Sequence, residues 1–178
     1  GDIDVLESAE RAAVLVDWND TYHLVDTAFT LDSLLERTIA TYPKAPALVA
    51  ELAGGGTLEI SYAELDARIN RIARQLIALG VGPESRVALA IRRSAELVIA
   101  MYAVTRAGGA YVPLDPDQPA ERTGHILDTA RPVCVLTDAD TGFTTDAALV
   151  VDLAEAEAGG SSERITDAER IAAIRPGH

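Results

Sequence analysis

The residues of this chain whose types could grip phosphate, supply a nucleophile or hold a metal stand at spacings that argue against each use. Gly54-Gly55-Gly56 is a glycine triplet, and glycine-lined turns can cradle phosphate with backbone N–H groups. No Lys-Ser/Thr follows it, and the flanking segments, Ala47-Leu48-Val49-Ala50 and Thr57 to Ile60, both read as strands. The triplet therefore reads as the tip of a hairpin. Lys44, the single lysine, lies in a loop bracketed by Pro43 and Pro46. His125 falls inside a helical stretch without a ligand partner four residues on, so it reads as a helix residue rather than a metal ligand. Cys134 sits within Val133-Cys134-Val135-Leu136, where a buried small hydrophobe is the expected role. Asp115 precedes Pro116, which biases it to extended geometry and a structural task.

The elements that position these groups alternate between helix and strand from Leu31 onward. Thr30 caps a helix over 31–41, with Leu31, Leu34, Leu35, Thr38 and Ile39 on one face. Ser61 and Glu64 form a Ser-x-x-Glu capping box, and Ile60 and Leu65 occupy the staple positions around it. Leu65, Ile69, Ile72, Leu76 and Leu79 then recur at helical spacing, until Gly80, Gly82 and Pro83 stop the helix. A strand over 86–91 leads to a helix capped by Ser94, apolar on nearly every face and so expected to be buried. Gly108-Gly109 release it into a strand over 110–114. Pro119 opens a helix to about Ala130, a strand follows over 133–137, and Leu149 to Leu153 is a further short strand. Thr166-x-x-Glu169 is a second capping box, predicting a short helix through Ile171. Strands that are continuous apolar runs between helices imply an α/β fold, a mainly parallel sheet with helices on both faces. Ser8 caps a predicted short helix over 9–16, and the stretch to Thr30 has few periodic apolar positions. It reads as a linker lying on another surface with Trp18 as its anchor, or as an arm bearing a partly exposed aromatic.

Composition narrows the function classes. The chain has 178 residues, 48% hydrophobic and 24% charged, an ordinary globular balance with room for a real core. A net charge of −13 argues against nucleic acid and against an anionic membrane surface, both of which are recognised by cations. A lone cysteine permits no internal disulfide. No apolar run reaches the ~20 residues needed to span a bilayer, and no signal-peptide pattern opens the chain, so a cytoplasmic protein is expected.

Ile60-Ser61-Tyr62-Ala63-Glu64-Leu65 resembles the first core motif of the amino-acid adenylation domains of nonribosomal peptide synthetases, members of the adenylate-forming enzyme superfamily. Thr105 to Asp115, with Ala107-Gly108-Gly109-Ala110-Tyr111 before Val112-Pro113-Leu114-Asp115, resembles the second, with Arg106 where lysine is common. Leu79-Gly80-Val81, Arg122, Asp128, Ala130-Arg131-Pro132 and Leu136-Thr137 match as well. Trp18-Asn19-Asp20-Thr21 is similar to the linker between a condensation domain and the adenylation domain after it. The resemblance implies an interdomain linker over 1–30 and the first part of the adenylation domain's N-terminal subdomain over 31–178.

The reaction so implied belongs to the biosynthesis of peptide secondary metabolites. An amino-acid carboxylate attacks the α-phosphate of ATP, with magnesium, giving aminoacyl-AMP and pyrophosphate. The aminoacyl group then passes to the phosphopantetheine thiol of a carrier protein. By the resemblance, the phosphate loop, the amino-acid pocket and the lid with its catalytic lysine all lie beyond His178. No catalytic, cofactor or metal residue is therefore expected here. ATP and magnesium serve the whole domain, and neither is expected to bind these residues alone, which should be inactive and only marginally stable or prone to associate. The implied partners are the remainder of the adenylation domain and the condensation and carrier domains of the same synthetase. An alternative role is a protein-interaction module for an MbtH-like helper protein, with Ala130, Arg131 and Pro132 as the contact. A free-standing nucleotide-binding domain is disfavoured by the lack of a convincing G-x-G-x-x-G turn.

Overall fold

The computed structural model describes residues 6–24, 26–52 and 54–176. A four-stranded parallel sheet forms the centre, in the order β4 (Ala110–Pro113), β3 (Arg86–Ala90), β5 (Cys134–Thr137), β6 (Val150–Asp152). Between β3 and β4 runs α4 (Ala95–Ala107), and between β4 and β5 runs α5 (Ala120–Ala130). Alternation along the strands sends Val87, Leu89, Cys134 and Leu136 to a large core built with α3 (Tyr62–Ala78), α4 and α6 (Leu153–Ala158). Ala88, Ala90 and Val135 face the opposite way, onto Leu127 of α5. The sheet thus has helices on both faces, as its unbroken apolar strands require.

α3 forms as its sequence dictates. Ser61 N donates to the Glu64 carboxylate at 2.8 Å, and Glu64 N donates back to Ser61 Oγ at 3.3 Å. The carbonyls of Pro43 and Ala45 accept from Ala63 and Tyr62, satisfying two more N-terminal donors. Ile69, Ile72 and Leu76 are then fully buried, each contributing about 1.5–3 kcal/mol of apolar transfer. Gly108 ends α4 in the left-handed region at φ 97°, which favours glycine. Pro113 is tolerated because β4 is an edge strand.

β1 (Pro46–Glu51) and β2 (Thr57–Ser61) form the expected antiparallel hairpin, outside the parallel sheet. Other elements depart from expectation. In α2 (Leu31–Thr41), capped by Thr30 as expected, Leu31 and Leu34 are exposed while Asp32 is buried with Leu35. α6 was not legible, being only six residues held by Asp152, whose carboxylate accepts from Ala154 N and Glu155 N. The Thr166–Glu169 box forms only in half: Thr166 N donates to the Glu169 carboxylate at 2.9 Å, but Glu169 N donates to Thr166 O and closes a turn and not a helix. Arg74 on α3 holds the other oxygen of the Glu169 carboxylate at 2.8 Å. At the other end α1 (Ser8–Leu15) starts one residue early, with Glu7 as its cap. Trp18, in a single 3-10 turn over Asp17–Asn19, is 75% exposed.

Candidate functional site

Glycines 54–56 lie at the tip of the β1–β2 hairpin. Leu52 N donates to Gly56 O, Gly55 N to Leu52 O, and Gly55 and Gly56 have φ of 83° and 99°. No helix begins there, so the turn has no aligned helix N-terminus with which to hold a phosphate.

In open α/β sheets ligands settle beyond the carboxyl ends of the strands. Here that edge is occupied by a latch. Arg92, just after β3, grips Asp117 with Nε at 3.0 Å and Nη2 at 2.6 Å, and its Nη1 donates to Asp140 O at 2.9 Å. The hydrogen bond from Arg92 holds the Asp117 carboxyl below its usual range. Asp115 accepts from Asp117 N at 3.0 Å, and Asp138 accepts from Thr141 N at 2.9 Å, so both carboxylates shape turns. The edge carries Asp115, Asp117, Asp138 and Asp140 against an arginine already engaged, and a triphosphate would meet repulsion.

A second cluster was missed entirely by sequence reasoning. Arg106 on α4 is 1% exposed, yet its Nε donates to Asp32 of α2 at 2.8 Å and its Nη1 to Asn70 of α3 at 2.9 Å and to Asp66. Burial alone would lower the guanidinium pKa, but Asp32 and Asp66 raise it further than burial lowers it. Asp32 gives its second oxygen to Arg170 at 2.9 Å, and Arg170 Nε donates to Arg106 O at 2.9 Å. Arg106 Nη2 finds no acceptor among the described residues. The readable signal was a charge set among Ala103, Val104 and Ala107 on an otherwise apolar face.

The proposed partner corner lies elsewhere, at the end of α5. Ala130 and Pro132 are half-buried and Arg131 is exposed. Arg131 adopts φ 47°, ψ 58°, left-handed and immediately before a proline, where both its own Cβ and the proline ring disfavour that geometry. Ala130 O accepts from Arg86 Nη1 at 3.1 Å, which ties the corner to the start of β3. His125 is exposed on the same helix. Cys134 is fully buried in β5, and burial pushes its thiol up to about 11, the mark of an inert core residue. Among the described residues no group of three or more His, Cys, Asp or Glu could hold a metal, and no helix is long and apolar enough to cross a membrane.

A family model described as AMP-binding enzyme matches residues 35–175. A dimodular nonribosomal peptide synthase of Bacillus subtilis (strain 168) is 41% identical over 138 residues, 78% of this chain and 6% of that protein. The crystal structure of the nonribosomal peptide synthetase FmoA3 in its AMPPNP-bound form superposes with a TM-score of 0.77 at 27% identity, over 92% of this chain and 17% of that one. The N-terminal subdomain of Klebsiella oxytoca NpsA shares the fold, with a TM-score of 0.65 at 22% identity, over 79% of this chain and 35% of that one. The chain therefore spans a small fraction of the relatives it matches.

Proposed function

Because the chain belongs to the AMP-binding enzyme family, we propose that it serves as the scaffolding part of an amino-acid-activating adenylation domain in a cytoplasmic synthetase. Residues 31–178 would be the first part of the N-terminal subdomain, and residues 1–30 the linker from a condensation domain. In the whole enzyme an amino-acid carboxylate oxygen would bond to the α-phosphorus of ATP while the bond to the bridging oxygen breaks and pyrophosphate departs. The carrier's phosphopantetheine thiol would then take the acyl group and release AMP.

The observation that carries the scaffolding role is the acidic, latched carboxyl edge of the sheet, with the glycine triplet spent on a hairpin. Transition-state stabilisation in phosphoryl chemistry comes from oriented donors and cations, each worth ~2.7–4 kcal/mol when removed. On this reading the rest of the enzyme would supply that set, and the 178 residues alone should be inert. ATP binding tests the reading directly. A ligand at about 100 times its Kd adds ~2.7 kcal/mol of stability, so micromolar binding would lift the melting curve visibly at millimolar ATP with magnesium. No shift is expected, and a saturable rise would contradict the proposal.

A second reading rests on Arg131. Left-handed backbone before a proline costs about 1–3 kcal/mol and is retained where a site needs it. At an exposed corner it would present Ala130 and Arg131 to an MbtH-like helper, the alanine entering a cleft and the arginine serving the rim. Ala130→Glu in the full-length protein is expected to abolish helper binding by calorimetry with an unchanged melting temperature. Unaltered affinity would remove this contact.

A further inference from the structure

Residues 159–176 cross the outside of α3 and α4 without forming a helix or strand. One side chain of this segment, Ile165, enters the main core, at 2% exposure. Polar groups from three helices supply the other attachments. Asn70 donates to Ser162 O at 3.0 Å, and Arg74 donates to Ser161 O and to Glu163 O at 2.7 Å. Arg74 also pairs with Glu169, Arg164 pairs with Glu36 at 2.6 Å, and Arg170 reaches Asp32 and Arg106 O. At the segment's start Gly160 lies so close to α3 that a Cβ would sit 3.0 Å from Arg71 O and 3.1 Å from Arg71 Cα.

We infer that residues 159–176 form a releasable strap, which lifts off α2, α3 and α4 as one unit while the sheet stays folded. The division of Asp32 between two arginines makes this possible. When Arg170 leaves, the Asp32 carboxylate keeps its bond to buried Arg106, so opening strands no buried charge. Arg74, Arg164 and Glu169 pass into water, where ionic groups are solvated, and the freed carbonyls take water as acceptors. One buried isoleucine is a small apolar hold beside the continuous core under the sheet. Segments with few buried contacts and polar attachments open below the global unfolding free energy.

The test uses Cys134 as an internal clock. In the full-length protein carrying Ile165→Cys, the introduced thiol sits under the strap and Cys134 lies in the sheet. Labelling by a disulfide reagent, each rate normalised to that in urea, is expected to be at least about tenfold faster at position 165, equal to ~1.4 kcal/mol less opening free energy. Adding Arg170→Gln should quicken position 165 about tenfold more and leave Cys134 unchanged. Equal rates for the two thiols, or equal acceleration of both, would overturn the strap. Should the cysteine variant fail to fold, trypsin on the unmodified protein decides. Cleavage after Arg170, whose side chain is 8% exposed, should precede cleavage after Arg74 and Arg86, and simultaneous cleavage at the three would overturn the inference.

Discussion

Arg106→Ala is expected to destabilise the protein by about 3–5 kcal/mol, the cost of removing one partner from a buried ionic cluster. Asp32 would keep only Arg170, and Asp66 and Asn70 would lose their shared donor. With native stability usually ~5–15 kcal/mol, a loss of this size would either shift the urea midpoint far down or erase the cooperative transition. Arg106→Lys separates charge from geometry. One ammonium keeps the cation but cannot span Asp32 on α2 together with Asp66 and Asn70 on α3, as the fork does. The lysine variant should therefore fall between wild type and alanine. An alanine variant within about 1 kcal/mol of wild type would show that the cluster behaves like a surface pair.

Gly109→Ala should cost about 1–3 kcal/mol, through crowding rather than lost backbone freedom. The new Cβ would lie 2.7 Å from Val81 Cγ1, 3.2 Å from Ser85 O and 3.4 Å from Val104 Cγ1. Val81 and Val104 are fully buried and cannot swing aside. Ser85 O is also fixed, since it accepts from Ala110 N at 2.8 Å to begin β4 against β3. The second glycine of the Gly-Gly pair thus lets the α4–β4 turn press against the 81–85 loop. Chemical denaturation checks the value. A neutral substitution would mean that the turn relaxes without disturbing β3.

Much of this architecture was legible because its causes are local. The Ser61–Glu64 box, the Ile60–Leu65 staple and the apolar stripe of α3 all act within a few turns, and each is found as read. Unbroken apolar strands announced a sheet covered on both faces, and the Gly54–Gly56 triplet between two strands announced a hairpin. Hidden features were those decided at a distance. Asp32 and Arg106 are 74 residues apart in sequence, and charged residues are rarely buried unless paired, so neither side chain alone foretold its place. The Thr166–Glu169 box failed as a helix signal because Glu169 N bonds to Thr166 O and closes a turn, while Arg74, far off in sequence, takes the second carboxylate oxygen. Arg131 could not be read as left-handed, since a residue before proline is biased toward extended backbone.

Pyrophosphate exchange, run with these 178 residues alone and with the full-length protein, tests the scaffolding role most directly. Label should enter ATP, dependent on an amino acid, only with the full-length protein, and the isolated residues should remain at the blank even at millimolar ATP and magnesium. Exchange by the isolated residues at a rate comparable to the full-length protein would contradict the account.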